Sequence, residues 1–188
     1  MELETVNPYQ APAAYVADAP ADGAAATVPL YAPAAWKFLL LSGCTLGLYL
    51  LVWFYRNWVA VRRARQVKLS PVARAIFSGF TAYFCFEQME DILAKRLGRR
   101  APELHGGIAA LLYFMLSAAG RMPHPFWMIS LLAPLPVLWV NQRVRAAGLA
   151  DGGLVADEPL SWGAWLLVAV GGCCFFLVVI GLLATGMD

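Results

Sequence analysis

Apolar residues fall in blocks along this chain, and the blocks differ in length and in period. Two of them, 36–58 and 162–184, each run 23 residues; the first holds only Lys37 and Arg56 as charges and the second none. A bilayer span takes about 20 apolar residues, so each block predicts a spanning helix. Between them, Ser70 and Pro71 suit an N-cap and a first helical position, predicting a helix over 71–97. In its first half Arg74, Ser78, Thr81, Cys85 and Gln88 share one stripe at helical spacing, and Val72, Ile76, Phe80 and Tyr83 share another. Its second half carries Glu87, Glu90, Asp91, Lys95 and Arg96. Each charge costs a few kcal/mol near the bilayer centre, so this helix is expected to lie at the interface as an amphipathic element.

Two shorter apolar stretches follow, 107–120 and 126–140, joined by Arg121, Met122, Pro123, His124 and Pro125. At about 1.5 Å per residue each reaches roughly 20 to 23 Å, short of the ~30 Å hydrocarbon core. They predict a tight helical hairpin that barely spans or dips in and returns. Pro134 and Pro136 remove backbone donors from its second arm and predict a kink or an early unwinding there. Residues 1–35, with Pro8, Pro12, Pro20, Pro29 and Pro33 among alanines and acidic residues, show no apolar period and read as a disordered tail. The polar stretch 141–161 reads as a loop. The fold class is therefore all-α: a helical integral membrane bundle of about four transmembrane helices, one pair forming a short hairpin, plus one amphipathic interfacial helix.

Composition strengthens this reading. Of 188 residues, 61% are hydrophobic and 14% charged, where soluble domains carry about 25% charge. A formal net charge of +2 is too small to imply a nucleic-acid partner. The expected partners are the lipid bilayer itself, its anionic headgroups facing the cations between Arg56 and Arg100, and a second copy of the chain or another membrane protein. Glu2 and Glu4 stand where a cleavable signal would be positive, so no signal cleavage is expected.

The positive-inside rule orients the helices. If 71–97 stays on the surface, twelve of the fourteen Lys and Arg fall inside and only Lys37 and Arg121 outside. If it crosses, the split is seven and seven. The first arrangement is preferred. It predicts a multi-pass protein of a bacterial inner membrane with both termini outside.

Candidate chemistry is sparse. Glu87, Glu90 and Asp91 stand at i, i+3 and i+4 on one helix face, where carboxylates could handle a cation or proton, although a solvated face with an Asp91–Lys95 pair accounts for them as well. His105 and His124 lie too far apart along the chain for a shared metal site, and Cys44, Cys85, Cys173 and Cys174 sit in apolar segments without a CxxC pair. No phosphate loop, nucleophile elbow, HExxH or redox CxxC occurs. No catalytic, metal-binding or cofactor-binding residue is assigned, and no cofactor is expected. Trp36, Trp53, Tyr55, Arg56 and Trp58 read as interfacial anchors. Gly43 with Gly47, and Gly163, Gly171 and Gly172 in the last span, offer small-residue faces for helix packing. The expected function is non-enzymatic, through helix association or at the cytoplasmic membrane surface; the alternative is a small transporter with Glu87, Glu90 or Asp91 as the ion-coupled group.

The run Lys37-Phe38-Leu39-Leu40-Leu41, then Gly47-Leu48-Tyr49 and Trp53-Phe54-Tyr55-Arg56-Asn57-Trp58, resembles a group of uncharacterised small bacterial multi-pass membrane proteins of the domain-of-unknown-function kind. Met122-Pro123-His124-Pro125-Phe126-Trp127 and Pro136 to Asn141 fit the same pattern loosely. The resemblance implies a location and no activity.

Overall fold

The computed structural model describes residues 29–124, 126–150 and 162–185, with only some of the side chains in the last stretch. The described residues are helical, with no strand among them. In chain order the helices are α1 (Ala35–Cys44), α2 (Tyr49–Arg65), α3 (Pro71–Ile76), α4 (Ser78–Leu97), α5 (Gly106–Ala119), α6 (Pro134–Ala150) and α7 (Trp162–Thr185), with 3-10 turns at Gly98–Arg100 and Phe126–Leu132. Among the described residues no helix is long and apolar enough to cross a membrane.

The block expected as one helix over 36–58 is two helices that double back on each other. Leu46 (φ 50°) and Gly47 (φ 88°) take left-handed backbone conformations in succession, which interrupts the helical ladder. Thr45 secures the corner: its hydroxyl donates to the Leu41 carbonyl at 2.7 Å and accepts from the Tyr49 N–H at 2.9 Å. The return is marked by rings, with Phe38 of α1 centred 5.8 Å from Tyr49 and 6.4 Å from Trp53 of α2. Gly47 thus serves the turn.

The core grows outward from that hairpin. Trp53 and Phe54 meet Phe86 of α4 at 6.3 and 5.9 Å, and Phe54 meets Tyr113 of α5 at 5.4 Å. All but Tyr113 of these are fully buried. Helix α5 runs against α4 closely enough that a Cβ on Gly106 would stand 2.8 Å from the Phe86 Cβ, so glycine is required at that contact. Helix α7 packs on α1, and a Cβ on Gly171 would collide with the Cys44 carbonyl.

Helix 71–97 is interrupted at Phe77, giving α3 and α4. Ser70 caps α3 by accepting from the Ala73 N–H, with Pro71 opening the helix. The Thr81 hydroxyl donates to the Arg74 carbonyl at 2.6 Å across the break. This helix does not lie apart as a surface element. Ala82, Cys85, Phe86, Met89 and Leu93 of α4 are buried against α2 and α5.

Of the two outcomes expected at Pro134 and Pro136, the α-helix over 126–140 is broken there rather than kinked. The stretch before them is 3-10, and α6 opens at Pro134, so both prolines fall in the first turn, where backbone N–H groups have no intrahelical acceptor to lose. Helix α6 then continues to Ala150, taking in the first half of the expected loop 141–161.

Candidate functional site

One end of the bundle is charged. Arg65 at the end of α2 bonds Asp91 of α4 at 2.6 Å, and Arg143 of α6 donates to the Glu103 carbonyl at 2.6 Å just before α5. Arg62, Arg63, Gln66, Lys68 and Ser70 line an open groove of about 680 Å³ where α2 gives way to α3. The expected carboxylates belong to this end. Glu87 and Asp91 are exposed and Glu90 is half-buried; Asp91 takes Arg65 rather than Lys95 as its recorded partner. Among the described residues no group of three His, Cys, Asp or Glu could hold a metal ion. His105 lies 4.0 Å from Glu103, and His124 is exposed.

Of the expected anchors, Trp36 and Tyr55 are exposed, whereas Trp53 and Trp58 are fully buried. Trp53 lies at the centre of the aromatic core, and Trp58 stacks under the Arg74 guanidinium at 4.5 Å. Of the expected packing glycines, Gly171 meets α1; Gly43, Gly47 and Gly172 have open space where a Cβ would stand. Gly163 carries no described side-chain environment.

The most elaborate polar construction involves residues that sequence reasoning passed over. The extended segment 29–34 is no free tail: Leu30, Ala32 and Pro33 are buried. Asn57 holds it as a neighbouring strand would, accepting from the Tyr31 N–H and donating to the Tyr31 carbonyl, both at 3.1 Å. Asn141 of α6 accepts from the Trp53 indole at 3.0 Å and donates to the Pro33 carbonyl at 2.8 Å. Arg145 donates to the Ala32 carbonyl at 3.0 Å. The Tyr31 hydroxyl meets that of Tyr49 at 2.9 Å, and the Arg56 guanidinium sits 4.5 Å over the Tyr31 ring. Three successive carbonyls of the strap are thus taken by side chains from α2 and α6. Their signal in the sequence was two asparagines, Asn57 and Asn141, embedded in apolar helical runs, where a polar side chain needs a partner. Residues 1–28, the rest of the expected tail, lie outside the described residues.

The two asparagines act here as backbone and indole clamps. Carboxamides neither take up nor release protons near neutral pH, and both asparagines are fully buried with their acceptors filled. Apart from the tyrosine hydroxyls, the tryptophan indoles and the Cys85 thiol, the buried polar side chains among the described residues are Ser42, Thr45, Asn57, Ser78 and Asn141, with no carboxylate, imidazole or cation among them. Comparison with known proteins finds no relative: no family model, no curated protein and no solved structure matches the chain.

Proposed function

We propose that this chain is a non-enzymatic helical membrane protein that embeds its short hairpins in the bilayer of a bacterial inner membrane and works by association there and at the cytoplasmic surface. One observation carries the proposal. Helix 71–97 is apolar on two sides, one turned inward through Ala82, Phe86, Met89 and Leu93 and one turned outward. Val72, Ile76, Phe80 and Tyr83 point outward at 55, 63, 71 and 47% exposure, while Ser78 and Cys85 from the small and polar stripe are buried. In water a helix that already buries one apolar face would carry polar residues on the other. Such a pattern suits an apolar surrounding phase.

The rest of the surface supports the same reading. Ile108, Leu111, Leu112 and Met115 of α5 and Phe126, Met128, Ile129 and Leu132 of the following turn are all exposed, and exposed apolar surface of this kind suits contact with a membrane or a partner. Leu46 and Leu48 make the tip of the α1–α2 hairpin apolar as well. The sequence Trp162–Thr185 adds 24 residues without an Asp, Glu, Lys or Arg. Short helices enter a bilayer most readily as paired arms that dip and return, and the charged end, with the Arg62–Arg63–Lys68 groove, then meets anionic headgroups.

Orientation is affected by the hairpin. Segment 29–34 comes back beside Arg56, Asn57 and Arg145, so the outside placement of the N-terminus, which rested on a single crossing through 36–58, loses its basis. The small-transporter alternative asks for a carboxylate in the interior, and no described interior position holds one.

The test is extraction of the full chain from membranes. The expected result is retention through alkaline carbonate and high salt with release only by detergent. Recovery of a monodisperse protein in detergent-free buffer would overturn the proposal. Adding anionic vesicles to the detergent-solubilised protein, with Arg62→Ala and Arg63→Ala as comparison, reads the headgroup contact separately.

A further inference from the structure

At the end of the bundle away from the Arg65–Asp91 pair, the two hairpin tips border a half-open cavity of about 420 Å³. Its walls come from α1 and the α1–α2 corner (Ser42, Gly43, Leu46), from α5 (Tyr113, Ser117), and from Ser130 to Leu135, where the 3-10 turn runs into α6. Two properties set it apart from a packing defect. First, its size falls in the range of small-molecule pockets. Second, Ser42, which borders it, is 2% exposed, and its hydroxyl has no hydrogen-bond partner among the described residues. Buried hydroxyls are normally paired, and an orphan of this kind calls for an explanation. The neighbouring hydroxyls are already engaged, Tyr113 with Ser78 at 2.9 Å and Ser130 with the Trp127 carbonyl at 2.7 Å.

We propose that this cavity binds an uncharged, single-chain amphiphile, a long-chain alcohol in its simplest form, with the chain along the leucine walls and the hydroxyl on Ser42. The walls decide the class. Leu39, Leu46, Leu50, Leu51, Leu131 and Leu135 offer no partner to a polar chain, and no Asp, Glu, Lys, Arg or His lines the cavity. A carboxylate or ammonium head would be left without a counter-charge in an apolar pocket, at a cost that excludes it. A neutral hydroxyl instead supplies the acceptor or donor that Ser42 lacks. The open space at Gly43, which itself borders the cavity, leaves room for the ligand against the α1 backbone.

The test uses full-length protein in detergent and a photoactivatable diazirine analogue of hexadecanol, with crosslinked peptides mapped by mass spectrometry. Label is expected within 39–51 and 130–135. Unlabelled hexadecanol should displace it about tenfold more effectively than palmitate at alkaline pH, and Ser42→Ala should weaken capture by about two- to tenfold, the range of one hydrogen bond. Gly43→Leu, whose side chain has room to grow into the cavity, should abolish it; Leu131→Trp is the second filling variant should the first lose its thermal transition. Label spread over outward residues such as Phe80 and Phe84, unchanged in Ser42→Ala and in the filled variant, would overturn the proposal. So would equal displacement by palmitate. Because binding is read in detergent, its failure leaves the membrane-extraction result standing, and the converse holds too.

Discussion

The strap and the corner of the α1–α2 hairpin treat their buried polar groups differently, although the Trp58 indole N–H beside Asn57, under the Arg74 guanidinium, is like the Ser42 hydroxyl in having no hydrogen-bond partner among the described residues. Around the strap, Asn57 and Asn141 each make hydrogen bonds in both directions, and nothing polar on Tyr31, Ala32 or Pro33 that faces them goes unmet. At the corner, Thr45 is fully engaged while Ser42, one helical turn earlier, has an idle hydroxyl beside a cavity. Satisfied groups hold a fold in place, and an unsatisfied one is the place where something else can bind. The comparison separates residues whose loss should cost stability from those whose loss should cost only a ligand.

The largest effect should come from the strap. Asn57→Leu leaves the Tyr31 N–H and carbonyl unpaired in the interior, and destabilisation of about 2–4 kcal/mol is expected from two such groups. Thermal unfolding in detergent measures it, and amide exchange at Tyr31 should rise before global unfolding. A melting point equal to the parent's would break the comparison at its strongest point. Trp53→Phe keeps most of the ring contacts but removes the donor to Asn141, and about 1–2 kcal/mol should be lost. Ser42→Ala should go the other way: removing an orphan hydroxyl from an apolar wall should leave the melting temperature unchanged or raise it by an amount worth up to about 1 kcal/mol. If that variant is destabilised like Trp53→Phe, Ser42 belongs with the structural set. Smallest of all is Asp91→Asn. Its ion pair with Arg65 is exposed, so less than about 1 kcal/mol is expected, diminishing further with added salt.

How much of this was legible in the sequence depends on what each signal can distinguish. The apolar blocks marked where helices lie, and Ser70–Pro71 marked a start that the structure shows capped. The corner at Thr45–Leu48 escaped, because it contains no proline and its glycine also completes a GxxxG spacing; a left-handed Leu46 has no sequence signature at all. Trp53 and Trp58 were misread since an aromatic ring with an N–H suits an interface and a core equally well. The amphipathic stripes of 71–97 were seen, but a stripe does not say which side faces the bundle until its partners are known. The strap escaped for a related reason: segment 29–34 has no period of its own, and what orders it is supplied by side chains far along the chain.

That distance has a consequence for assembly. The Pro33 and Ala32 carbonyls are taken by Asn141 and Arg145, 108 and 113 residues downstream. Such non-local closures are slow, since the chain between must first be placed. During synthesis the strap emerges before everything that holds it, and only the α2 residues Tyr49, Arg56 and Asn57 can hold it until α6 has been made. A segment made early is then the last to be locked, and chains halted before residue 141 should leave it open to protease while the rings of the α1–α2 hairpin have already met.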